Sequence, residues 1–400
     1  MRKPKHWLIL LAVLLNISCA TGRKTPPPEP SVPPDAVRQE DYRITMVAVG
    51  DNLIHLELIN NAKTETEDVF DFDKYYTEAA PLIKDADIAF INQETLIAGK
   101  NFGYSGYPVF NGPKDIGRTI VNLGFDVVNH ATNHAMDKGE KAVFEVIDFW
   151  DKQEGVLMLG LNRSEEHRRD VAKNIIEKNN IKVGFLAYTY GTNGIPLPKD
   201  KPFLVSLTDT EIMAKEIDAL RPLCDFLVVS MHWGNEYEDT PSSRQQELAA
   251  FLAARSVDLV IGHHPHVLQP LRAIPREAAA PDPVAPDKEP WRRAAPMVCF
   301  FSLGNFLSAQ NEPPRLLGGM MRVSVKKEAL PPHRVTIEEA ALLPLVTHYE
   351  TGYKGFRVYP LGGYTEEIAA RHLLRQQKKY ADTGYFHTLF KKISEASAAP

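Results

Sequence analysis

The stretch "DFLVVSMHWGNEYEDTPSSRQQELAAFLAARSVDLVIGHHPH", residues 225–266, carries a strand, a helix and a second strand in succession. "DFLVVSMH" and "VDLVIG" are short apolar runs rich in β-branched residues, and "PSSRQQELAAFLAARS" between them reads as a helix. Strand–helix alternation of this kind argues for an α/β fold with short connections. Strands that are apolar throughout belong to sheets covered on both faces. Each of these two strands also stops on histidine: His232 after the first, and His263, His264 and His266 after the second. Three of the 13 histidines in a chain of 400 residues thus fall within four positions.

The same alternation runs outward from this unit. Upstream, "YRITMVAVG" (42–50), "DIAFIN" (87–92), "FDVVN" (125–129), "VLMLG" and "IKVGFLAY" read as strands. "FDKYYTEAAPLIKDA", "GPKDIGRTIVNLG" (ending at Gly124), "KGEKAVFEVIDFWDKQEG" (closing at Gly155) and "TDTEIMAKEIDALRPL" read as helices. Downstream, "APMVCFFSL" is the last strand of the run. After about residue 318 the pattern changes. "MMRVSVKK" and "HRVTIEEAALLPL" read as antiparallel strands, and "EEIAARHLLRQQKKYA" as a C-terminal helix. Residues 275–296, rich in Pro, Ala and charge, read as an inserted surface loop. One domain is expected over 42–363, with a helical extension over 364–400.

In an open α/β sheet, ligands bind beyond the carboxyl ends of the strands. Those ends deliver Asp51, Asn52 and His55; Asn92 and Glu94; "NHATNHAMD", with Asn129, His130, Asn133, His134 and Asp137; His232, Trp233 and Glu236; His263, His264 and His266; and Gly304 and Asn305. Any one such end could be an ordinary cap or turn. Together they point to a metal or anion site, because Asp, Glu, Asn and His are the ligand types for Zn, Mn or Fe in a mixed nitrogen–oxygen centre. Asp51 and Glu94 would neutralise charge, Asn133 would be a neutral oxygen ligand, and His134 could protonate a leaving group. Asn52, His55, Asn92, His130, Trp233, Glu236, His263 and Asn305 are candidates for substrate binding or for orienting the ligands. Trp233 and Tyr237 could line the mouth of such a site, but read first as core residues. Phosphate-binding P-loop, G-x-S-x-G and C-x-x-C patterns are absent.

The N-terminus is a separate matter. Arg2, Lys3 and Lys5 precede the apolar run Trp7–Leu15, which is too short for a comfortable membrane span. With "NISC" (16–19) it reads as an export signal over 1–18 with Cys19 as the lipidated first residue; a plain secretory signal is the alternative. Residues 19–41, rich in proline, cannot form a core and read as a tether. At about 3.1 Å per residue, some twenty residues would span about 60 Å. The expectation is an exported lipoprotein of the bacterial cell envelope, held to the membrane through its lipid. Cys224 and Cys299 sit in apolar strand contexts and read as buried thiols, with an inter-strand disulfide as the alternative. A net charge of −5 argues against nucleic acid as a partner.

"GDN" (50–52), "NQETL" (92–96), "ATNHAMDKG" (131–139), "HWGNEY" (232–237), "GHHPHVLQP" (262–270) and "SLGNF" (302–306) together resemble the poly-γ-glutamate capsule synthesis (CapA) family over about residues 43–325. That family is similar in turn to the calcineurin-like metallophosphoesterases, a four-layer αββα sandwich with a two-metal site. The resemblance implies metal-ligand roles for Asp51, Asn133, His232, His264 and His266, with His134 as acid and Glu94 where the superfamily has a bridging aspartate. The chain departs from the superfamily pattern: Leu53 replaces the histidine of the opening motif, and the last motif carries an extra histidine. The expected cofactor is one or two divalent ions, Mn, Fe or Zn. Two functions follow from the resemblance. One is a metal-dependent hydrolase or transferase acting on an envelope polymer or phosphoester. The other is a non-catalytic, membrane-tethered subunit of a complex that makes or exports a polyanionic polymer.

Overall fold

The computed structural model describes residues 40–276 and 295–398. The signal, nearly all of the tether, Cys19 and most of the 275–296 insertion lie outside the described residues. In chain order, β1 (Tyr42–Leu53), β2 (Ile88–Asn92), β3 (Val127–Asn129) and β4 (Leu157–Leu159) are laid side by side in parallel. The chain then builds a second sheet from β5 (Ile175–Lys178), β6 (Ile181–Thr189), β7 (Phe226–His232), β8 (Leu259–His263), β9 (Leu268–Ile274) and β10 (Met297–Leu303). Finally β11 (Asn305–Ser308), β12 (Leu317–Lys327), β13 (Val335–Glu350) and β14 (Lys354–Pro360) return to the first sheet. The first sheet has eight strands, ordered β14-β13-β12-β1-β2-β3-β4 with β11 on the tip of β1. The second has six, ordered β5-β6-β7-β8-β10-β9. As expected, β12 and β13 run antiparallel; β14, which was not anticipated, pairs antiparallel with β13.

The two sheets pack face to face with helices outside each, a four-layer αββα sandwich. The strand period of two sorts β1 between layers. Ile44, Met46 and Ala48 face the second sheet and meet Val183, Val228, Ile261 and Phe300 in the inter-sheet core. Val47 and Val49 face outward onto Ile116, Ile120, Val143 and Ile147 of the helices Asp115–Leu123 and Gly139–Trp150. On the far side, Leu186, Val229 and Met231 meet Met213, Ile217, Leu248 and Leu252 of the helices Thr210–Leu220 and Ser243–Ala254. Every residue of β2, β7 and β10 is buried, which is what continuous apolar runs require. Cys224 and Cys299 are both buried.

Three local expectations are corrected. The helix expected over "EEIAARHLLRQQKKYA" breaks at His372. There the backbone is extended (φ −60°, ψ 137°), leaving the short helices Glu366–Arg371 and Leu373–Gln376. The His372 ring sits 3.3 Å from the Thr347 carbonyl, and its Nδ1 accepts from the Leu374 amide at 3.0 Å, so a tertiary anchor overrides the helical pattern. A longer helix, Thr383–Ala398, follows and buries Phe386 and Ile393 in the same core as Val47. "FDKYYTEAAPLIKDA" forms a 3₁₀ turn and the five-residue helix Ala80–Lys84 instead of one helix, because Tyr75 and Tyr76 are fully buried. The helix ahead of Gly155 stops earlier, at Trp150.

Candidate metal centre

The carboxyl ends of β1, β2 and β3 from the first sheet meet those of β7 and β8 from the second at one rim. The tip of β1 is re-aimed there: its register with β2 slips between Val49 and Asp51. Gly50 permits this, since a Cβ at that position would lie 1.8 Å from the Gly304 carbonyl oxygen. Asp51 is fully buried. It accepts from Asn92 Nδ2 at 2.8 Å and from the His264 amide at 3.3 Å, and lies 3.0 Å from His266 Nδ1.

Glu94 stands at the middle of the cluster. Its Oε1 lies 3.6 Å from His232 Nε2, 3.8 Å from His266 Nε2 and 4.0 Å from His134 Nε2. Neither carboxylate oxygen has a hydrogen-bond partner among the described residues, and His264 Nδ1 has none either. An unpaired buried carboxylate is costly, so these atoms are the strongest sign that the site is built around something else. Ligand atoms lie within 4.8 Å of one another in three overlapping sets: Glu94, His232 and His264; Asp51, Glu94 and His266; Glu236, His264 and His266. Asn133 Oδ1 lies 2.8 Å from His232 Nε2, which brings it to the same place. The six expected ligands therefore converge, and Glu236 joins them from the exposed side. Nitrogen and oxygen donors in this mixture fit Zn, Mn or Fe.

Burial shapes the charge states. It pushes His232 down and His264 down to about 3, which favours the neutral imidazoles that a cation requires. Burial likewise drives the Glu94 carboxyl well above the usual carboxylate range. His266 is held up at about 9: burial opposes this, but the Glu94 and Asp51 carboxylates outweigh it.

His134 is poised differently. Its Nδ1 lies 2.7 Å from Asp137 Oδ2, which also accepts from the Phe110 amide at 2.6 Å. That contact orients the ring and turns Nε2 toward Glu94. Phe110 packs edge-on against the His134 ring at 4.6 Å, and His55 lies behind Phe110 at 5.1 Å.

Other expected residues take supporting or structural places. Asn92 links Asp51 to Asn129, whose Nδ2 donates to Asn92 Oδ1 at 2.7 Å. Asn305 Oδ1 lies 3.1 Å from His266 Nδ1. His263 turns away from the cluster and stacks on Phe90 at 5.9 Å, with its Nδ1 3.7 Å from Asp51. Three candidates are placed elsewhere. Asn52 is engaged by Gln93 and Tyr76, His130 accepts from Trp150 Nε1 at 2.8 Å, and Trp233 donates to the Phe301 carbonyl in the outer core of the second sheet. Each is the next polar or aromatic residue along a strand or loop whose neighbour faces the cluster, and the alternation of side chains sends it the other way.

Two residues at the rim were not anticipated. The Tyr190 ring lies 4.7 Å from His264, and Asn193 Oδ1 accepts from Asn133 Nδ2 at 3.1 Å. Both follow β6, a strand whose end carries no acid or histidine and so gave no signal.

A family model described as "Bacterial capsule synthesis protein PGA_cap" matches residues 45–310, which takes in every residue of the cluster. The chain belongs to this family. Within the PGA_cap family it is similar to the capsule biosynthesis protein CapA of Bacillus anthracis, 27% identical over 286 residues. That match covers 68% of this chain and 61% of the relative. It is also similar to the PGA biosynthesis protein CapA of Bacillus subtilis (strain 168), 27% identical over 58% of this chain and 56% of the relative. The chain thus spans about three fifths of the length of these curated relatives. Among solved structures, the calcineurin-like phosphoesterase YfkN of Bacillus subtilis has 15% identity and a TM-score of 0.41, over 90% of this chain and 100% of that one. The NAD nucleotidase NadN of Haemophilus influenzae has 10% identity and a TM-score of 0.44, over 77% and 59%.

Proposed function

We propose that this PGA_cap protein is a metal-dependent hydrolase or transferase that acts on a phosphoester or acyl bond in building a cell-surface polymer. The observation that carries the reading is Glu94: a fully buried carboxylate with two unpartnered oxygens, ringed by three imidazoles. Asp51, Glu94, Asn133, His232, His264 and His266 would hold one or two Mn, Fe or Zn ions. Glu94, His264 and His266 each belong to two of the donor sets. When bound, such an ion supplies Lewis-acid activation of the reacting oxygen and of the attacking water. The chain's own part is to position and to move protons. As the imidazolium, His134 donates its Nε2 proton to the departing oxygen or nitrogen and keeps its Nδ1–H on Asp137, which holds Nε2 as the outward-facing nitrogen. Asp51, held by Asn92 and the His264 amide, keeps the donors of the two sheets in register. The names of the two Bacillus relatives support a capsular polymer, poly-γ-glutamate or a related polyanion, as the material acted on. Lipidation of Cys19 would hold the domain at the membrane of the cell envelope, beside the machinery that makes the polymer.

Elemental analysis of the purified protein, followed by phosphomonoester, phosphodiester and γ-glutamyl hydrolysis assays, tests the catalytic reading. Stoichiometric metal with turnover that Glu94→Gln abolishes is the expected result. A protein that takes up no metal overturns it, and a metal-loaded protein inert on all three substrate types favours the accessory-subunit role. For the anchor, Cys19→Ala should leave the membrane fraction or stay unprocessed; a processed variant still in the membrane fraction refutes lipidation there.

A further inference from the structure

Away from the histidine cluster, the short helix Glu165–Arg169 and the turn Val171–Asn174 roof a cavity of about 30 Å³ at the edge where β4 and β6 meet. Arg168 lines it and is 9% exposed. Its Nε donates to Glu216 Oε1 at 2.8 Å, and Tyr188 donates to Glu216 Oε2 at 2.6 Å. Arg168 Nη2 has no partner among the described residues. Lys173, also on the lining, donates to the His167 carbonyl. On the lining itself Arg168 and Lys173 face one carboxylate, Glu216, while Asp170 and Asp151 act on Lys173 from outside it. Two buried acceptors on the same lining, Asn174 Oδ1 and His167 Nδ1, are without partners as well.

We infer that this cavity is a binding site for a carboxylate that carries an N–H or O–H donor on a neighbouring atom. Unsatisfied buried donors and acceptors side by side ask for a ligand that offers both. The unpartnered guanidinium nitrogen of Arg168, with the Lys173 ammonium on the same lining, is a donor arrangement that recognises a carboxylate. The volume suits only such a head group, since one water needs about 10–15 Å³, so the remainder of the ligand lies outside the opening. An N-acyl amino acid and a unit of a γ-linked glutamyl chain share this chemistry. The site is separate from the metal centre and stands whether or not that centre is catalytic.

Calorimetric titration of the purified protein at constant ionic strength tests the site, with N-acetylglutamate, acetate, inorganic phosphate and a short γ-glutamyl oligomer as probes. Arg168 is tied to Glu216 and its loss could unfold the region, so the diagnostic variant is Lys173→Gln. Saturable binding of N-acetylglutamate, tighter than acetate, is expected. Lys173→Gln should weaken it about tenfold or more, the worth of one charge-assisted hydrogen bond. Glu94→Gln should leave it unchanged, which separates this site from the metal centre. Tighter binding of the oligomer assigns the site to the polymer, and equal binding assigns it to free carboxylates. Absence of saturable binding, an unaltered affinity in Lys173→Gln, loss in Glu94→Gln, or phosphate binding as tight as N-acetylglutamate each overturns the inference.

Discussion

Glu94 and His232 come from different sheets, and 3.6 Å separates Glu94 Oε1 from His232 Nε2 in a fully buried setting. No hydrogen bond within the described residues relieves the carboxylate. Two sheets have been brought together around a group that the described residues leave unsatisfied.

Glu94→Gln therefore separates stability from metal binding. Removing a charge that burial opposes should leave the metal-stripped variant at least as stable as the metal-stripped parent in urea unfolding at pH 8. Its metal content should fall well below that of the parent by elemental analysis. A variant that keeps full metal, or whose stripped form is clearly less stable, contradicts the role given to Glu94.

Metal affinity should rise with pH. His266 is held up at about 9 and must lose its proton to become a ligand. Below that value each ion bound by His266 displaces a proton, so apparent affinity should climb by up to about tenfold per pH unit between pH 6.5 and 8.5. Zinc or manganese titrations in buffers of different ionisation enthalpy measure the proton released. A flat profile would show that His266 is not a ligand.

Asp137→Asn tests the pairing with His134. The asparagine can still accept from the Phe110 amide but no longer anchors His134 Nδ1 as a carboxylate does. Turnover of substrates with poor leaving groups should fall about a hundredfold, with little change for p-nitrophenyl esters, which depart without a proton. Equal losses on both kinds of substrate would speak against acid catalysis by His134.

Acid should weaken the fold through histidines that are buried neutral. His130 and His372 are pushed down to about 3 by burial, against about 6.5 in an unfolded chain. Between those values the unfolded chain binds the proton and the folded one does not. Stability is thus complete above pH 6.5 and falls as pH drops toward 3, by about 1.4 kcal/mol per unit for each such histidine. His130→Gln keeps an acceptor for Trp150 and removes one titrating group. Its unfolding free energy should fall less steeply from pH 6.5 to 4.5, by about one proton. Parallel slopes for parent and variant would rule out a folded-state His130 that stays neutral.

The sequence by itself determined the strand–helix alternation, most of the strands and the residues at their tips. These are local matters: apolar runs of strand length mark buried strands, and the polar residue that ends each run is visible in order. It also carried the family resemblance, because the motifs keep their order along the chain. What only the tertiary structure decided is which tips meet. Asp51 and the His264 amide are 213 positions apart and come together only because two sheets stack. The family resemblance already implied His264 and His266 over His263, and backbone geometry gives the physical reason for their different directions. His263 ends β8 facing Phe90, and positive φ values of 96° and 60° at His264 and His266 swing their rings to the rim. The break at His372 and the roles of Tyr190 and Asn193 were equally hidden. Each depends on a partner far away in the chain, and no local pattern encodes a contact whose other half arrives only when the layers pack.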